Sequence, residues 1–218
     1  MTQPIGPLVP SAVIVGAGAW QDCPPGYRAP SEATASASCV GIDLSYSGTG
    51  DRAACVAVSV RPELPDVYYV REAWSGPREL RDLRRVLLAW VARYPDAPLA
   101  SFVSGTEARV LGLLSEESRD AATGERFPGV TVVGMMASES KAARAAATAE
   151  AWNAGRVILP RGAPWVDRFV RSVQTFSGRD GEHDDEVDAL VSAVEFLRRN
   201  AISFGDAGGP VAVSRTAF

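Results

Sequence analysis

Four stretches of this 218-residue chain carry side chains that can do chemistry together. In Gly41-Ile42-Asp43-Leu44-Ser45 a single carboxylate interrupts an apolar run. A lone carboxylate inside a buried strand is costly unless a metal, an arginine or backbone amides meet it. Glu107 follows the short apolar run Ser101-Phe102-Val103, at a strand end where α/β folds present ligands. His183-Asp184-Asp185-Glu186-Val187-Asp188 opens a helix whose apolar stripe is Val187, Leu190, Val191, Val194 and Leu197. At helical spacing Asp184 and Asp188 flank that stripe one turn apart, and Asp185 points away from its centre. The fourth stretch holds Lys141 and Arg144, which share a helix face at i, i+3.

Carboxylates drawn from separated segments are the hard oxygen donors that magnesium and manganese take. Two such ions about 4 Å apart activate a water and stabilise the leaving oxygen in phosphodiester hydrolysis. Asp43, Glu107, Asp184, Asp185 and Asp188 are therefore the candidate metal ligands and catalytic acids. His183 has three roles open: tuning a water, touching a phosphate, or capping the helix. Lys141 and Arg144 either contact a phosphate backbone or form a solvated face. Arg156, Arg161 and Arg179 are further basic candidates without defined geometry. Plainer readings stand beside these. Asp43 can end its strand as a turn-former, as Asp51 does in Gly48-Thr49-Gly50-Asp51. Glu107 and the acids at 184–188 can simply complement helix dipoles.

The elements that must position these groups follow from periodicity. Residues 1–37, rich in Pro, Gly, Ala and Ser, read as a flexible arm. Within it, Val13-Ile14-Val15-Gly16-Ala17-Gly18 lacks the third glycine of a dinucleotide loop, and Pro24-Pro25 falls where its helix should run. Residues 38–200 form the domain. Cys39–Leu44, Ala53–Arg61 and Val67–Trp74 read as three consecutive strands, an antiparallel meander. Arg78–Tyr94 has helical spacing through Leu80, Leu83, Val86, Leu87, Trp90 and Val91. Leu99–Val103 is a strand, followed by a helix to about Leu114 and a polar loop over Ser115–Pro128. Val130–Met135 is a strand, and Ser138–Asn153 an alanine-rich helix capped by Ser138 or Ser140 and stopped by Gly155. Val157–Leu159 is a strand, and Pro164–Phe176 and Asp184–Arg199 are helices. Residues 201–218 read as a tail. The order predicts an α/β fold with a mixed β-sheet flanked by helices.

Composition sets further bounds. The formal net charge of −4 gives little bulk attraction to nucleic acid, so local clusters matter more than the sum. Lys141 is the only lysine among 22 basic residues. One histidine excludes a multi-histidine metal site. Cys23, Cys39 and Cys55, odd in number and scattered, fit neither a disulfide framework nor a zinc site, so a reduced, cytoplasmic protein is expected. No apolar run approaches the length of a membrane span, and no basic region precedes the first apolar stretch as in a secretory signal.

From Val40 to about Arg198 the chain resembles the C-terminal nuclease domain of the large terminase subunit of tailed bacteriophages. Gly41-Ile42-Asp43 through Gly50-Asp51-Arg52-Ala53-Ala54 resembles that family's first catalytic strand and hairpin. Ser138 through Arg144 resembles its Lys-x-x-Arg helix, and Gly155-Arg156-Val157-Ile158-Leu159-Pro160 the strand that follows. Phe176-Ser177 through His183-Asp184-Asp185-Glu186-Val187-Asp188-Ala189 resembles its closing His-Asp-Asp-x-x-Asp-Ala signature. The resemblance implies a ribonuclease-H-like mixed sheet flanked by helices and dependence on Mg or Mn. It implies endonucleolytic cutting of double-stranded DNA during genome packaging, in the host cytoplasm. Asp43 would be the first catalytic acid, and Asp184 or Asp185 the last, with Asp188 close by.

Two departures stand out. The family's middle acid lies within or just after its strand, whereas here none appears before Glu107. The family's full-length protein also begins with an ATPase motor, and this chain has no Gly-x-x-x-x-Gly-Lys-Ser/Thr loop. It reads as an excised nuclease domain or as a stand-alone nuclease subunit, with Met1 and the 1–37 arm favouring the latter. A stand-alone subunit needs a separate packaging ATPase, a small terminase subunit or a portal as partner. The alternatives are a Holliday-junction resolvase of the same fold, an ATPase of the actin and sugar-kinase kind, and a scaffold that has lost its middle acid.

Overall fold

Alternation and unbroken apolar runs build a sheet buried on both faces. The structure, a computed structural model, describes residues 13–16, 37–44, 52–61, 64–77, 80–103, 132–176 and 184–206. Its elements in chain order are β1 (Val13–Gly16), β2 (Ser38–Asp43), β3 (Arg52–Arg61), β4 (Leu64–Pro77), α1 (Leu80–Arg93), β5 (Leu99–Val103) and β6 (Val132–Met136). They continue with α2 (Lys141–Asn153), β7 (Val157–Arg161), α3 (Val166–Thr175) and α4 (Asp185–Asp206). The seven strands form one sheet in the order β1-β7-β4-β3-β2-β5-β6. β3 pairs antiparallel with β2 and β4, and every other pairing is parallel, so β3 alone runs against the rest. This is the mixed sheet flanked by helices that the element order predicts.

β3 shows why both faces are covered. Ala54, Val56, Val58 and Val60 point into a core built with α2, α3 and α4. Ala53, Cys55 and Ala57 point into a second core, where Leu83, Leu87, Trp90 and Val91 of α1 meet them. Period-two side chains on a central strand serve two layers in this way. α1 carries the chain from β4 to β5 over that second face.

α2 starts and stops as its sequence predicts. Ser140 takes extended backbone angles and accepts a hydrogen bond from the Ala143 N–H at 3.3 Å, the cap of the first turn. Gly155, at φ 68°, turns the chain left-handed after the helix. The observed elements depart from expectation at both chain ends. Val13–Gly16 lies inside the stretch read as an arm, yet it pairs with Val157–Arg161 as strand β1. α4 runs to Asp206, beyond the expected end at Arg199.

α4 is the centre of the first core. The predicted stripe of Val187, Leu190, Val191, Val194 and Leu197 is buried, and so are Ala189 and Ala193 on a neighbouring face. The reason lies in β2. A Cβ placed on Gly41 would stand 1.8 Å from the Ala189 carbonyl oxygen and 2.8 Å from the Ala193 nitrogen. Strand and helix backbones therefore approach more closely than any side chain permits. Gly41→Ala should force them apart and lower the free energy of unfolding by about 3 kcal/mol, the upper end for overpacking. Gly162→Ala meets no atom within 4 Å and carries only the strain of its positive φ, a cost of roughly 1 kcal/mol. Urea unfolding of the two variants measures the difference, and equal losses would refute the close-packing account.

Candidate active site

The predicted acids come from two ends of this close contact. Asp43 is the last residue of β2 and sits opposite Ala54. Ala54 belongs to the core under α4, so Asp43 shares the α4 face with Gly41. β2, β5 and β6 run parallel, which puts their C-terminal ends on one edge of the sheet. α2 begins at that edge after β6, and Lys141, its first residue, contacts Asp184 and Asp188. The first turn of α4 therefore lies at the same edge. From Gly41 to Asp43 is about 7 Å of strand, and from Ala189 back to Asp185 is about 6 Å of helix. Asp43 and the first turn of α4 thus lie toward the same end of the sheet.

The electrostatics of the edge centre on one ammonium. Lys141 Nζ lies 2.6 Å from Asp184 Oδ2 and 2.7 Å from Asp188 Oδ2. Asp184 is 4% exposed, and its Oδ2 is shut off from solvent. Burial pulls the Lys141 amine down, but the two carboxylates outweigh it and hold the amine above its ordinary value. Asp188 is pushed up to about 6, first by burial and also by its like-charged neighbour Asp184, against the pull of Lys141 and Arg144. Glu186, in the same turn, faces elsewhere. It is buried and takes Arg168 of α3 at 2.7 and 3.1 Å.

Lys141 turns inward, because two partly desolvated carboxylates one turn apart need a cation between them. Arg144 is also engaged, with its guanidinium 5.0 Å over the Phe102 ring and donating to the Glu139 carbonyl oxygen at 2.7 Å. Among the described residues no three acidic, histidine or cysteine side chains gather around one point. Lys141 already bridges Asp184 and Asp188. Glu107 and His183 lie outside the described residues, as do Arg179 and Cys23. Arg156 is held by Asp66 at 2.9 Å and Glu150 at 3.1 Å. The lysine's position as the single ammonium of the chain, at a helix start, is the one signal in the sequence that sets it apart.

The donors themselves suit a divalent ion. Each is a carboxylate, the ligand type magnesium and manganese prefer. Asp184, buried at the edge, is met by a cation already.

Asp188 gives a pH signature. Its folded value of about 6 exceeds the ordinary 3.8, so the folded protein holds this proton more tightly than the unfolded chain. The resulting stability is fully present below about pH 4 and is lost as the pH rises through 6, roughly 3 kcal/mol in all. With chelator present, Asp188→Asn should lack this portion of the pH slope when urea unfolding is followed from pH 4 to 7. Identical slopes in the two proteins would contradict the assignment.

Comparison with known proteins gives the same fold. Residues 108–196 match the family model described as the terminase RNaseH-like domain. The magnesium-bound large terminase nuclease of thermophilic phage G20c superposes with a TM-score of 0.57 at 12% identity, covering 88% of this chain and 97% of that one. Its cobalt-bound form gives 0.55 at 12% identity, covering 86% and 94%. The large terminase of a second thermophilic bacteriophage gives 0.53 at 12% identity, covering 88% of this chain and 46% of that one. No curated protein sequence matches. The matched segment and the fold agree: the chain has a ribonuclease-H-like fold, similar to that of the nuclease domains of phage large terminases.

Proposed function

We propose that the chain is a divalent-metal-dependent DNA endonuclease of the terminase kind, cutting concatemeric viral DNA during genome packaging. What supports the reading is the edge that Asp43 shares with the first turn of α4, on the fold of the large terminase nucleases. Asp43, Asp184 and Asp185, with Asp188 beside them and Glu107 as the middle acid, would hold Mg or Mn. When bound, the ions supply an activated water and a stabilised leaving oxygen. The chain's own part is positional. A strand and a helix locked at Gly41 and Ala189 fix the oxygens on rigid elements. Burial around Asp184 keeps bulk water from one of them. Lys141 and Arg144, with His183 next to Asp184 in sequence, are the basic groups that would meet phosphates of the duplex.

The match covers 46% of the length of the second phage's large terminase. Double-stranded DNA as substrate, and a separate packaging ATPase, small terminase subunit or portal as partner, belong to this proposal, as does the host cytoplasm. With a net charge of −4 the lone chain has little bulk attraction for DNA, so a partner would present the duplex. Among the described residues no helix is long and apolar enough to cross a membrane.

The purified chain should nick or linearise plasmid with Mn or Mg and stop when chelator is added. Asp43→Asn, and Asp184→Asn combined with Asp185→Asn, should lower the rate by more than about 100-fold while circular dichroism stays unchanged. Glu107→Gln should do the same. Full cutting by the Asp43→Asn protein would sink the reading, and preference for four-way junctions over linear duplex would move it to a resolvase.

A further inference from the structure

We propose that Lys141 is the resident counter-cation of the acidic edge, and that a divalent ion gains Asp184 only by displacing its ammonium. The inference rests on the metal-nuclease reading above and concerns how that site is loaded. Nζ lies within 2.7 Å of one oxygen from each of Asp184 and Asp188. All three side chains are largely covered, at 18%, 6% and 24% exposure. A second cation brought to the same Asp184 oxygen would face the ammonium at contact range, with little water between them to screen the repulsion. One of the two must leave.

The residue type and its setting suit departure. A lysine carries a compact charge on a flexible four-carbon stem, whereas an arginine would clamp two carboxylates with a planar fork. Every other side chain that is fully charged at neutral pH and positive is an arginine. The backbone at this point is pinned by the Ser140 cap, so the stem can swing while the helix stays in place. Asp184 and Asp188, one turn apart, would repel each other if left without a cation. Lys141 therefore holds the first turn of α4 together until a stronger positive charge takes over. Once displaced, the ammonium stands at the same edge as the metal, free to meet a phosphate oxygen of DNA. With a divalent ion on Asp184, Lys141 would take the phosphate role read from sequence.

The chain's single lysine makes the test direct in the unmodified protein. Lysine labelled with carbon-13 at Cε gives one side-chain signal, which is followed by NMR as Mg is added. In parallel, calorimetry measures Mg binding on the same sample. The lysine signal should move with the calorimetric saturation curve, and its reactivity toward an acylating reagent should rise several-fold. Lys141→Gln should bind Mg about tenfold more tightly or better, as expected when a competing cation is removed. Mg binding with the lysine signal and reactivity unchanged would overturn this proposal and leave the nuclease reading standing. Absence of any Mg or Mn binding would overturn both.

Discussion

The backbone contact between Gly41 of β2 and Ala189 of α4 is the constraint on which the rest of the molecule depends. It brings a strand and a helix closer than side chains allow, and it does so only because the strand offers a hydrogen where other residues carry a methyl. Ala189 and Ala193 are the helix's matching concession, small residues on a face that a larger side chain would lift away. With this spacing set, α4 can be covered on nearly all sides by the sheet, α2 and α3. The same spacing aligns the end of β2 with the start of α4. Packing and chemistry are thus one problem here, solved two residues apart on the same strand.

The acidic end of that contact is expensive by itself. Asp184 and Glu186 are both buried, and each is matched by a cation from a different helix: Lys141 of α2 and Arg168 of α3. The two pairs are unlike. Arg168 also reaches toward the Ala73 carbonyl oxygen, tying α3, α4 and β4 at one point. Lys141 instead bridges two carboxylates at the start of one helix, Asp184 and Asp188.

Much of this is legible in the chain. α1 and α4 carry clear helical stripes, Ser140 and Gly155 bracket α2, and β3 is apolar without a break from Ala53 to Val58. Asp43 stands out because a charge inside such a run requires an explanation. Other features depend on partners that local patterns do not reveal. The burial of Ala189 and Ala193 follows from Gly41, far earlier in the chain, where nothing local sets that glycine apart from its neighbours. Lys141 at a helix start reads equally as solvated or as phosphate-binding until the acidic turn is placed beside it. Glu186 reads as one acid of a cluster, although helical geometry turns it to Arg168, away from Asp188. β1 hides inside a segment whose composition suggests irregular structure, since its pairing is with a strand near the other end of the chain.

That last pairing bears on how the sheet keeps to itself. Without Val13–Gly16, the strand Val157–Arg161 would become the margin of the sheet, and its apolar residues Val157 and Leu159 would offer open amide and carbonyl groups to any passing chain. The short strand covers them. A segment that contributes four residues and no chemistry therefore acts as a guard against self-association. A version trimmed to the tidy domain boundary would lose solubility before it lost any part of its acidic edge.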